Sequence, residues 1–145
     1  MRTPQLTRSR RNGESGQAFV EFALVLPVLL LLLLGVIQFG NVFRDYMALT
    51  DATRVGARQA SVSRSIQPDA NRIPLVISRV QRAAVNLNTS QMTVTVTPVK
   101  VDGITPGWEE SGDVTVSATY PFKIDMFGMV LYNGLLQSRT VERVE

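Results

Sequence analysis

The residue whose type and place most invite chemistry is Glu21, a carboxylate at the leading edge of a long apolar run, with Gly16 five positions ahead of it. A charged acid at mid-bilayer costs about 2.5–3.5 kcal/mol on insertion scales, so acids in such runs are functional candidates. The plainer alternative places Glu21 at the interface, reaching the headgroups. Elsewhere the chain is poor in reactive groups. It has no cysteine, which excludes disulfides, zinc–thiolate sites and thiol catalysis. It has no histidine, which removes the commonest general base and metal ligand. No paired-acid constellation stands out, so an enzymatic role is not expected, and no cofactor or small-molecule substrate is implied.

The other acidic concentration is the segment 102–113, with Asp102, Glu109, Glu110, Asp113 and the sole tryptophan, Trp108. Calcium would need converging oxygens, and the EF-hand spacing is missing. The segment reads as a solvated hairpin loop, with Trp108 as a possible partner contact and no metal. The net charge is +3 over 145 residues. Its arginines are scattered instead of forming a stripe with interleaved aromatics, so nucleic-acid binding is not supported.

The element that must position Glu21 is the apolar run. No charged residue occurs from Phe22 to Phe43. As a helix these residues span about 33 Å, enough for a bilayer core. A cleaved signal peptide would have an apolar core of roughly 7–15 residues and a small-x-small site. The run is longer than that, and Gly35-Val36-Ile37-Gln38-Phe39-Gly40 makes a poor site, so an uncleaved anchor is the better reading. Arg2, Arg8, Arg10 and Arg11 precede the run, and beyond it Arg44 is balanced by Asp45. Positive flanks stay cytoplasmic, which puts the N-terminus inside and the long C-terminal part outside. Pro27 predicts a kink or irregularity in the helix, not a break.

The helix is expected to continue from about residue 19 to residue 61. Its outer half carries Ala48, Ala52, Gly56 and Ala60 at four-residue spacing, a row of small side chains that lets another backbone approach. Either this protein's own sheet and second helix or another subunit would fill it. Arg54 and Arg58 share a solvated face, with Asp51 able to pair with Arg54. Residues 63–68 read as a turn. A second helix is expected over about 69–87, its apolar face formed by Ile73, Ile77, Val80, Ala84 and Leu87, with Arg72, Arg79 and Arg82 on the other side. Pro74 marks its first turns. Asn88-Thr89-Ser90 fits a glycosylation sequon and also a polar turn.

Alternation of Met92, Val94 and Val96 with threonines, and of Val114, Val116, Ala118 and Tyr120 with polar residues, predicts two half-buried strands, Pro98 interrupting the first. A third strand is expected at about 137–144. The fold class is therefore α+β and membrane-anchored: a long transmembrane helix extending into a small ectodomain with a second helix and a roughly three-stranded antiparallel sheet. The segment 122–136 is apolar but too short to span a bilayer. It is expected to cover the sheet's core, with a membrane-surface or partner patch involving Phe127 and Leu131 as the alternative.

Three motifs combine over residues 16–60: Val20-Glu21-Phe22-Ala23-Leu24-Val25-Leu26-Pro27, then Gly35-Val36-Ile37-Gln38-Phe39-Gly40, then Ala52-Thr53-Arg54-Val55-Gly56-Ala57-Arg58. Together they resemble the TadE-like family, the pseudopilin-like proteins of the Flp (tight-adherence) pilus system. The basic leader, Gly16 and the glutamate five residues on also resemble a type IV prepilin processing site. The resemblance implies a pilin-like plan, with residues 1–16 a removable basic leader, 17–43 a transmembrane helix and 44–145 an extracytoplasmic domain. It implies cleavage after Gly16 by a membrane aspartyl peptidase, so that Gln17 becomes the first residue and Glu21 the fifth. Glycine would enter a tight protease cleft without obstruction, and Glu21 would meet the amine that cleavage creates. The membrane, prepilin peptidase, other pilus-assembly proteins and the Flp pilin are the implied partners, and the bacterial inner membrane the implied location. Major Flp pilins are much shorter and usually carry Glu-Tyr where this chain has Glu21-Phe22, which implies a minor or pseudopilin-like component. An anchored extracytoplasmic binding domain unrelated to pili is the alternative.

Overall fold

The computed structural model describes residues 12–63, 71–104, 107–126 and 128–145. Helix α1 spans Asn12–Ser61 and helix α2 spans Arg72–Ala83. A 3-10 turn, Thr89–Gln91, leads into strands β1 (Thr93–Val99), β2 (Asp113–Met126) and β3 (Met129–Arg143). The strands form one antiparallel sheet in the order β1-β2-β3. This is the α+β plan expected from the sequence, with an apolar helix suited to membrane anchoring. The basic leader arginines and the turn from Arg64 onward lie outside the described residues.

The chain divides into two units, residues 1–37 and 38–145. In the first, α1 carries an apolar surface on every side. Its side chains from Phe19 to Leu33 are exposed, because this stretch packs against no other element among the described residues of its own unit. A helix apolar all round is stable only in an apolar surrounding. Pro27 lies inside the helix, which continues through it.

The second unit holds the core. Leu49, Ala52, Ala57 and Ala60 from α1 meet Val76 and Val80 from α2 and Val96, Val114, Val116 and Ala118 from the sheet. Strand alternation produces this directly: in β2, Val114, Val116 and Ala118 are buried while their neighbours are not. Thr53 is fully buried, and its hydroxyl lies 2.9 Å from the buried Ser138 hydroxyl of β3. The Glu145 N–H donates to the Ser61 carbonyl at 3.1 Å, fastening the end of the chain to the end of α1.

Four expectations are corrected. Pro98 does not interrupt β1: it pairs with Val114 inside the strand, which is possible because β1 is an edge strand whose outer N–H positions need no partner. The second helix is shorter than expected, ending at Ala83, and Asn86 beyond it takes a positive φ of 69°. Arg72 is buried, only 2% exposed, and does not belong to a solvated face. Apart from Leu136, which packs against the core, the described residues of segment 122–136 do not cover it. They extend β2 and β3 into a long hairpin whose residues Met129, Val130, Leu131, Tyr132 and Leu135 are all exposed.

Candidate functional site

Gly16 and Glu21 lie on the first unit's helix. A Cβ built on Gly16 would meet nothing within 4 Å. Glycine inside a helix costs about 0.5–1 kcal/mol relative to alanine, and packing among the described residues supplies no reason for it. The Gln17 side-chain amide donates to a Glu21 carboxylate oxygen at 3.0 Å, one turn apart on the same face. That bond gives Glu21 a local partner in the intact chain. Both groups are exposed. The arrangement offers an accessible backbone and a held carboxylate.

The small-residue row behaves differently along its length. Ala52, Gly56 and Ala60 are buried in the core, and Ala48 packs against its edge. A Cβ on Gly56 would clash with Val80 Cγ2 and stand 3.5 Å from Val116 Cγ1. Within this unit the row is filled by α2 and the sheet.

Trp108 is half-buried, with the Arg72 guanidinium 5.5 Å from its ring centroid and the core beneath it. Its ring is thus engaged within the fold, joining the β1–β2 loop to the first turn of α2. Buried Arg72 carried no sequence signal of this role, since three-residue spacing alone does not reveal which arginine meets a distant ring. Around it the loop is polar: the Val101 N–H donates to a Glu109 carboxylate oxygen at 3.2 Å, and the Ile104 N–H to Asp102 at 2.9 Å. Among the described residues no three acidic groups converge as metal ligands. Asn88 accepts from the Ser90 N–H and hydroxyl, so the sequon forms a capped polar turn.

Leu131 is 58% exposed near the hairpin tip; Phe127 lies outside the described residues. The register shifts at this point, with Ile124 opposite Tyr132 and Asp125 opposite Val130, which leaves Leu131 as the extra residue of a bulge. The Gln38 side-chain amide donates to the Asp125 carbonyl. Between α1 and the hairpin runs an open groove of about 540 Å³, lined among others by Asn41, Asp45, Tyr120, Lys123 and Asn133.

Residues 16–58 match the family described as TadE-like protein. This is a pilus-associated structural family not known for catalysis. The match begins at Gly16 and ends at Arg58, taking in the glutamate, the apolar run and most of the small-residue row. No curated protein and no solved structure matches the chain.

Proposed function

We propose, from the TadE-like segment 16–58, that this chain is a non-enzymatic minor pilin or pseudopilin-like component of a tight-adherence pilus assembly. It is anchored in the bacterial inner membrane by one helix, with the N-terminus cytoplasmic and residues 44–145 outside. Prepilin peptidase cuts after Gly16, and the new chain begins at Gln17. Other pilus-assembly proteins and the Flp pilin are its partners.

The observation that carries this reading is the pairing of a glycine at position 16, with no packing demand from the described residues, with a carboxylate at position 21. A helix selected only as an anchor gains from neither. Glycine lowers its helix stability, and the carboxylate resists entry into lipid. Both features are useful if the backbone at 16 must fit a narrow cleft and the acid must meet an amine on its own or a neighbouring helix.

Co-expression with prepilin peptidase, followed by mass analysis of the N-terminus, tests the reading. A mature chain starting at Gln17 supports it. A chain still starting at Met1 in the presence of active peptidase removes the processing claim.

A further inference from the structure

Along α1, three attachments fix the height of the sheet in the second unit. Gln38 bonds to the Asp125 carbonyl, Thr53 to Ser138, and Ser61 to the N–H of Glu145. The first two agree in length. Fifteen residues of helix from Gln38 to Thr53 rise about 23 Å. Ser138 pairs with Ala118, and the seven strand residues from Ala118 to Asp125 cover about 23 Å. Strand β2 therefore runs alongside α1 against its direction, and the hairpin tip stands level with Gln38.

That level has a definite chemistry. Gln38 to Phe43 is the last stretch of the charge-free run, and Arg44 and Asp45 follow at once. Phe39 and Phe43 are exposed and stacked, centroids 6.3 Å apart. Aromatic rings followed by charges mark a membrane–water boundary. At the same height the tip displays Met129, Val130, Leu131 and Tyr132, four consecutive exposed apolar or aromatic residues, with Leu135 behind them. Successive strand residues face opposite sides of a sheet, so both faces of the tip are apolar. An ordinary half-buried hairpin would alternate with polar residues, as β2 does nearer its start.

We infer that the β2–β3 hairpin tip docks into the outer-leaflet interface of the bilayer that α1 crosses, giving the ectodomain a second membrane contact beside its anchor. The inference rests on the anchor reading above. Tyr132, packed on Phe122 at 5.8 Å, supplies the amphipathic ring favoured at headgroup depth. Lys123 is exposed just behind the tip and extends toward phosphates. Asp125, opposite Val130, limits the depth, because a carboxylate resists entry into hydrocarbon. The contact is therefore interfacial.

The absence of cysteine makes the test clean. Single variants of the full chain, Met129→Cys, Leu131→Cys and Leu135→Cys, carry an environment-sensitive fluorophore in vesicles of phosphatidylethanolamine and phosphatidylglycerol. Leu31→Cys reports the anchor, and exposed Thr95→Cys on β1 reports water. The labels at 129 and 131 should show blue-shifted emission, quenching by doxyl-lipid and protection from iodide, position 135, which pairs with Pro121 about 13 Å farther from the tip, should show less of each, and position 95 should show the reverse. Iodide quenching at the tip with position 31 still lipid-quenched overturns the inference and leaves the anchor standing. Protection from both quenchers at the tip means a protein contact and also overturns it. Iodide quenching at position 31 itself removes the anchor, and the inference with it.

Discussion

Gly56 of α1 sits directly against Val80 of α2, so closely that even a methyl group at position 56 would overlap the valine side chain. Both residues are buried, and Val80 is β-branched with little rotamer freedom. The close approach of two backbones brings α2 down onto α1 and leaves the sheet's Val116 on the same spot.

Gly56→Ala is therefore expected to destabilise the second unit, although alanine is the better helix former. Overpacking costs about 1–3 kcal/mol, against which helix propensity returns at most about 1 kcal/mol. Thermal or urea unfolding of the full chain in detergent measures the difference. A second substitution, Val80→Ala, should relieve the overlap and recover part of the loss; additive losses would show that the two residues do not meet.

The buried hydroxyl pair Thr53 and Ser138 is expected to couple. Thr53→Val keeps the shape and leaves a buried hydroxyl short of a partner, at a cost of about 1–3 kcal/mol. The double variant Thr53→Val, Ser138→Ala should lose less than the sum of the single losses. A double loss equal to the sum of the single losses would mean the contact contributes nothing beyond each side chain's own surroundings.

Trp108→Leu is expected to weaken the attachment of the β1–β2 loop to α2. A cation–π contact with a largely desolvated arginine is worth roughly 0.5–2 kcal/mol. The loss should shrink when Arg72 is already methionine, and amide exchange of the loop around Gly107 should quicken in either variant. Unchanged exchange would show that the loop is held by its backbone bonds alone.

At the other end of the chain, Gly16→Leu and Glu21→Gln should separate two roles. The first should block removal of the leader. The second should leave cleavage intact, because the carboxylate's task begins with the amine that cleavage exposes, while incorporation into pilus assemblies falls. Mass analysis reads the first step and co-purification with the Flp pilin the second. Normal co-purification of a cleaved Glu21→Gln chain would remove Glu21 from assembly.

Much was legible before any coordinates. The charge-free run from 22 to 43 required an apolar surrounding, and alternation around Val94 and Val116 required strands with one buried face. The spacing of Asp51 and Arg54 foretold their exposed 3.6 Å ion pair. These are local properties: a residue's neighbours in sequence determine its period, its propensity and whether a helix can shed its charge. The TadE-like motifs belong here too, since they lie in one continuous stretch.

What covers what was not local. The small-residue row at Ala52, Gly56 and Ala60 fitted another subunit as well as a partner from the same chain, and only the placement of Val80 and Val116 decides between them within this unit. Arg72 looked solvated because its burial depends on Trp108, thirty-six positions away. The apolar segment 122–136 looked like core cover because composition records how much apolar surface a segment has, not which way it faces. Its direction comes from the register of β2 with β3 and from the bond between Gln38 and Asp125. Sequence alone determined which segments must leave water; the tertiary structure decided which of them meet each other and which remain turned outward, because that choice depends on contacts between residues far apart in the chain.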